Sequence, residues 1–121
     1  IAIFLLVAFV GSVVLEGTVK AACAVVRPTT AVPGPWPGGY SFPSGHSIFA
    51  ASVGFAAAGL AALRNRWALT AVLLAWVVAV GVSRVYLGAH WPTDVLGAWL
   101  IAAAWAAFML IVKRAGTRNR K

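Results

Sequence analysis

The sequence predicts an all-α, polytopic transmembrane bundle with four spanning helices. Three observations carry that expectation. Hydrophobic residues make up 62% of the 121-residue chain and charged residues only 10%. Soluble domains carry about 25% charged residues, and a small one has too much surface to wet with so few. Four apolar runs reach or approach the roughly 20 residues that cross a bilayer as a helix. The ten Lys and Arg, against two acids, fall in short clusters between those runs. That distribution fits membrane topology better than a nucleic-acid surface.

The first run extends from Ile1 to about Leu15 and continues toward Val26, with Glu16 and Lys20 as its only charges. It lacks the basic start and a convincing cleavage site of a signal peptide, so it reads as a spanning segment. The chain begins at Ile rather than Met, and a fragment of a longer protein is expected. Between Pro28 and Pro43 the composition changes; Pro33, Pro35 and Pro37 exclude a regular helix. This is a loop, with Trp36 and Tyr40 placed to anchor it at the interface. The second run covers Ser47 to Leu63, the third Trp67 to Ser83 and on toward Leu87, and the fourth Val95 to Val112. Ala50, Gly54 and Ala58 on the second, and Ala98, Ala102 and Ala106 on the fourth, recur at helical spacing. Such stripes of small residues let membrane helices approach closely, so they read as packing surfaces. Cys23 is the sole cysteine, so no disulfide forms within the chain, and it reads as a small apolar helix residue. Residues 1–121 are expected to form one membrane-embedded domain, ending in a basic tail over 113–121.

Charge then orients the bundle. Arg64 and Arg66 lie in the short turn between the second and third runs, and Lys113, Arg114, Arg118, Arg120 and Lys121 follow the fourth. Four alternating spans place both clusters on one side, which the positive-inside rule makes cytoplasmic. The basic tail also suits anionic lipid head groups. Lys20, Arg27 and Arg84, together with His46, His90 and Asp94, are left for the opposite, extracytoplasmic face of the inner membrane. Hydropathy and charge alone therefore gather the distant polar groups at one end.

Three clusters carry chemistry. Lys20 is followed seven residues later by Arg27-Pro28; Pro43-Ser44-Gly45-His46 opens the second span; Ser83-Arg84, His90 and Asp94 stand between the third and fourth. Together they spell KxxxxxxRP, PSGH and SRxxxxxHxxxD, in order and without substitution. The sequence thereby resembles the type 2 phosphatidic acid phosphatase superfamily. That group includes bacterial undecaprenyl-diphosphate phosphatases, glucose-6-phosphatase and vanadium haloperoxidases. The resemblance runs from Lys20 to Asp94.

Elementary chemistry agrees with it. A helix beginning after Ser44 presents free N–H groups and a partial positive charge to an anion, with Ser44 as N-cap and Gly45 admitting a close phosphate. Pro92 suits the first turn of the fourth helix. A carboxylate four residues after His90 reaches the imidazole if the chain turns there, fixing its tautomer and stabilising its cation. Lys20, Arg27 and Arg84 supply the fixed positive charge that phosphoryl transfer requires. Glu16, one helical turn before Lys20, is expected to orient that lysine from outside the motif.

The resemblance implies a metal-independent lipid phosphatase with no cofactor. His90 is then the nucleophile that forms a phosphohistidine, and Asp94 its partner. His46 is the general acid and then base, and Lys20, Arg27, Ser44, Gly45 and Arg84 bind phosphate. Candidate substrates are undecaprenyl diphosphate, phosphatidic acid and phosphatidylglycerol phosphate in the bilayer; no nucleic-acid partner is expected. A lipid phosphotransferase on the same scaffold is the nearest alternative. A soluble-type haloperoxidase fits four spans poorly, and a non-catalytic lipid-binding subunit would have lost part of the motif. Members of the bacterial membrane type carry six spanning helices, so this chain is expected to be the C-terminal four of such a core.

Overall fold

The structure, a computed structural model, describes residues 1–28 and 39–118. They form four helices: α1 Ala2–Cys23, α2 Gly45–Ala62, α3 Trp67–Tyr86 and α4 Pro92–Arg118. Each is long and apolar enough to cross a membrane, and the chain is a membrane protein. Pro33, Pro35, Trp36, Pro37, Arg120 and Lys121 lie outside the described residues. Residues 113–118, expected as part of a tail, instead continue α4. No proline interrupts that stretch, and Lys and Arg are good helix formers.

α2 is the centre of the bundle and packs against α1, α3 and α4. Ala50, Gly54 and Ala58, and opposite them Ala98, Ala102 and Ala106, are all buried, so both small-residue stripes are packing faces. Small side chains let the helix backbones come together, and close van der Waals packing is what holds helices associated in lipid. One cluster joins Ile48 and Ala51 of α2 to Val77, Ala98 and Ala102. A second joins Ala8, Ala56, Ala106 and Met109 nearer the other end. Large side chains on the outside, such as Ile3, Val72 and Leu100, are well exposed. In hydrocarbon that exposure carries no hydrophobic penalty.

The connections decide where the polar groups meet. α2 and α3 join through a tight turn that carries Arg64 and Arg66, with Asn65 in the left-handed region at φ 56°. Asn tolerates that conformation better than most residues. At the other end the α3–α4 turn holds His90, and Gly88 takes φ 67°. The C-terminal ends of α1 and α3 and the N-terminal ends of α2 and α4 therefore share one end. Phe42 seats the approach to α2 on α4. A Cβ on Gly97 would stand 2.2 Å from the Phe42 ring, so only glycine admits the ring there.

Candidate active site

The site is built where three chain segments interlock at that end. The Ser41 N–H donates to the Val25 carbonyl at 2.6 Å. The Trp91 indole N–H donates to the Val26 carbonyl at 3.1 Å, and the Ser44 N–H donates to the Asp94 carbonyl at 3.2 Å. The stretch after α1 is thus tied to the entry of α2 and to the turn before α4. Arg27, Ser41 and His90 meet as a consequence.

His90 is 5% exposed and Asp94 fully buried. The Nδ1–H of His90 has the main-chain oxygen of Ser41 at 2.9 Å and Asp94 Oδ2 at 3.3 Å. The expectation that Asp94 would reach the imidazole holds, but the closer acceptor is the Ser41 carbonyl. With two acceptors on Nδ1, the tautomer carrying hydrogen there is favoured, and the lone pair is left on Nε2. That nitrogen lies 3.2 Å from Nη1 of Arg27, which also donates to the Ala89 carbonyl at 3.1 Å. Burial, and after it the Arg27 charge, hold His90 below the ordinary imidazole value of 6.5, while Asp94 and the Ser41 carbonyl pull the other way. The result is a neutral imidazole whose free lone pair faces a guanidinium.

Asp94 is itself held from two more directions. Its Oδ2 accepts the Ser41 hydroxyl and, at 2.8 Å, the Trp91 N–H. The latter closes the first turn of α4, where a carboxylate is favoured by the helix dipole. Ser41 was not anticipated as a site residue. It falls in a stretch of loop composition, and its only local signal is that it stands three residues before Ser44.

The remaining predicted residues are placed as follows. Ser44 caps α2: it is fully buried and its Oγ accepts the Ser47 N–H at 3.4 Å. Its described side-chain role is therefore the cap, and the free N–H groups behind it form the anion-attracting end. Gly45 and His46 occupy the first turn of α2, and the His46 ring is exposed. Lys20 donates to Glu16, and the pair lies on the α1 face turned toward α2: Glu16 Oε1 is 3.3 Å from where a Cβ on Gly45 would stand. Arg84 lies in the last turn of α3, where its Nε donates to the Ser83 hydroxyl at 3.2 Å. Its described side-chain contact is with Ser83 and not with His90. Among the described residues, no three His, Cys, Asp or Glu side chains come together as a metal-binding group.

Fold and site define a class: a helical membrane protein with a buried histidine–carboxylate pair, flanked by cations and a helix N-terminus, at one end of its bundle. The chain belongs to the PAP2 superfamily, whose family model matches residues 1–118. It is 48% identical over 69 residues to phosphatidylglycerophosphatase B of Escherichia coli, covering 57% of this chain and 27% of that protein. It is 35% identical over 116 residues to an undecaprenyl-diphosphatase of Sulfolobus acidocaldarius, covering 92% of this chain and 54% of the relative. A crystal structure of a transmembrane PAP2-type phosphatidylglycerolphosphate phosphatase from Bacillus subtilis superposes with a TM-score of 0.84 at 29% identity, over 93% of this chain and 59% of that one. The chain thus spans between about a quarter and about half of the curated relatives named here.

Proposed function

We propose that this chain carries the catalytic centre of a membrane phosphatase that removes phosphate from a lipid phosphate or lipid diphosphate through a phosphohistidine. The observation that carries the reading is the two-sided environment of His90. One nitrogen is anchored on Ser41 and Asp94, and the other offers its lone pair beside Arg27. A phosphate binding here draws Arg27 onto its oxygens, because an arginine–phosphate pair is charge-assisted and often bidentate. Nε2 is then released to attack phosphorus. Asp94 stabilises the imidazolium character that develops on His90 as the bond forms. Lys20, Arg27, Arg84 and the Ser44–Gly45 end of α2 hold the equatorial oxygens. His46 donates a proton to the leaving oxygen, then takes one from the water that cleaves the phosphohistidine.

The relatives' names support lipid phosphates as the substrate class, with undecaprenyl diphosphate, phosphatidic acid and phosphatidylglycerol phosphate as the candidates. The polar end, opposite the Arg64–Arg66 turn, would face the extracytoplasmic side of the inner membrane, as the positive-inside rule requires.

The test is phosphate release from these lipids in detergent with EDTA present, for wild type and His90→Ala. Release that survives EDTA and disappears in the mutant is expected. Equal release by both proteins would refute the nucleophile. Release that appears only on adding an acceptor alcohol would move the protein to the phosphotransferase reading.

A further inference from the structure

Glu16 is one of only two acidic residues in the chain, and the mechanism above gives it no step. The other acid, Asp94, is enclosed by Ser41, His90 and Trp91. Glu16 lies on α1, and its Oε1 pairs with Lys20 Nζ. The same Oε1 stands 3.3 Å, and its Cδ 3.9 Å, from the point a Cβ on Gly45 would occupy. A carboxylate therefore rests against the first residue of α2, at the helix end where unpaired N–H groups and the dipole attract an anion. The two side chains are 17% and 23% exposed, so solvent and salt screen them less than a surface pair. An acid in that place repels an incoming phosphate that approaches the same lysine and the same glycine. Orienting Lys20 would need no approach to α2, whereas this carboxylate pairs with Lys20 and also stands beside Gly45.

We propose that Glu16 is an internal stand-in for phosphate. Before phosphate binds, it pairs with Lys20 and stands beside the Gly45 end of α2. When a phosphate arrives, it gives up both. Glu16 is on this view a positioning residue that acts through Lys20, and it keeps phosphate affinity low enough for the product to leave. The inference rests on the reading of Lys20 and Gly45 as phosphate-binding groups.

The experiment measures inorganic phosphate binding by calorimetry, and its inhibition constant against lipid hydrolysis, for wild type, Glu16→Gln and Glu16→Asp in detergent. Glu16→Gln is expected to bind phosphate about three- to tenfold more tightly, a change of up to about 1.4 kcal/mol, with KM for the lipid falling in parallel. Glu16→Asp keeps the charge but is one methylene shorter and withdraws from Gly45, so it should move in the same direction by less. It also serves if the Gln variant does not fold, which tryptophan-fluorescence melting would reveal. Weaker phosphate binding in either variant would overturn the proposal, because it would mean that Glu16 only orients Lys20. Unchanged binding in both would overturn it too. If the wild type hydrolyses no lipid phosphate, the functional reading fails alone, since calorimetry still decides the role of Glu16.

Discussion

Replacing Ser41 by Ala removes one hydroxyl from a fully buried position and leaves the backbone in place. The hydroxyl donates to Asp94 Oδ2, whereas the contact with His90 Nδ1 at 2.9 Å comes from the main-chain oxygen. The mutation therefore strips a donor from the carboxylate while sparing the nearest acceptor that sets the histidine tautomer. A hydrogen bond to a charged group contributes roughly 1.5–3 kcal/mol, and each 1.4 kcal/mol is about tenfold in rate. If that contribution is needed to hold Asp94 against the imidazolium forming in the transition state, kcat falls by roughly 10- to 150-fold. KM stays within about threefold, because no phosphate-binding group is touched. Asp94 keeps the Trp91 N–H at 2.8 Å, so the bundle still folds. Its melting temperature in detergent drops, because a buried carboxylate has lost a partner. The assay is steady-state phosphate release from phosphatidic acid micelles, with thermal melting alongside. A kcat within about twofold of wild type, or a raised KM with unchanged kcat, would refute the idea that Ser41 acts through Asp94.

Three further outcomes follow from the same geometry. The profile of kcat/KM against pH should be bell-shaped, because turnover needs a free lone pair on His90 and a proton donor at the leaving oxygen together, with protonation of His90 forming the acid limb. Because the folded state holds His90 below its ordinary value of 6.5, the acid limb should fall below about pH 6.5. The sign for stability is the same: folding disfavours the charged ring, so this contribution is complete above about 6.5 and is lost as pH drops through the lowered value. A rate that rises steadily with pH would contradict the pairing. Gly97→Ala places a Cβ 2.2 Å from the Phe42 ring; the ring must move and carry Ser41 with it. Activity should drop more than about tenfold with helical circular dichroism intact, and full activity would show that Phe42 does not seat the site. Cys23 is exposed at the C-terminal end of α1, on the side of the site. A membrane-impermeant maleimide added to intact cells should label it, and labelling only after lysis would reverse the proposed orientation.

The spans were legible because hydropathy is a local property. Length and apolar content mark α1 to α4 without reference to any neighbour, and Arg64 and Arg66 mark the turn between two of them. Two helix starts were legible as well: Ser44 as N-cap and Pro92 in a first turn place the starts of α2 and α4 at Gly45 and Pro92, ahead of the apolar runs that begin at Ser47 and Val95. Capping serine and first-turn proline extend a helix beyond the apolar stretch that the bilayer requires. Ser41 was not legible at all. It reaches residues 49 and 53 positions away in the chain, and no periodicity links them.

By itself, then, the sequence determined that this chain lies in a membrane, that Lys20, Arg27 and Arg84 gather with both histidines and Asp94 at one end of four helices, and that these residues occur in an order resembling that of a phosphatase family. The first two follow from hydropathy and charge, and the third from the family resemblance. The tertiary structure alone decided which acceptor holds His90, that Arg27 faces its free nitrogen, and that Glu16 rests against Gly45. Those are contacts between segments brought together only when α1 and α4 pack around α2. Their distances depend on how closely small residues let the backbones approach, a property of the packed helix surfaces and of no single stretch of chain.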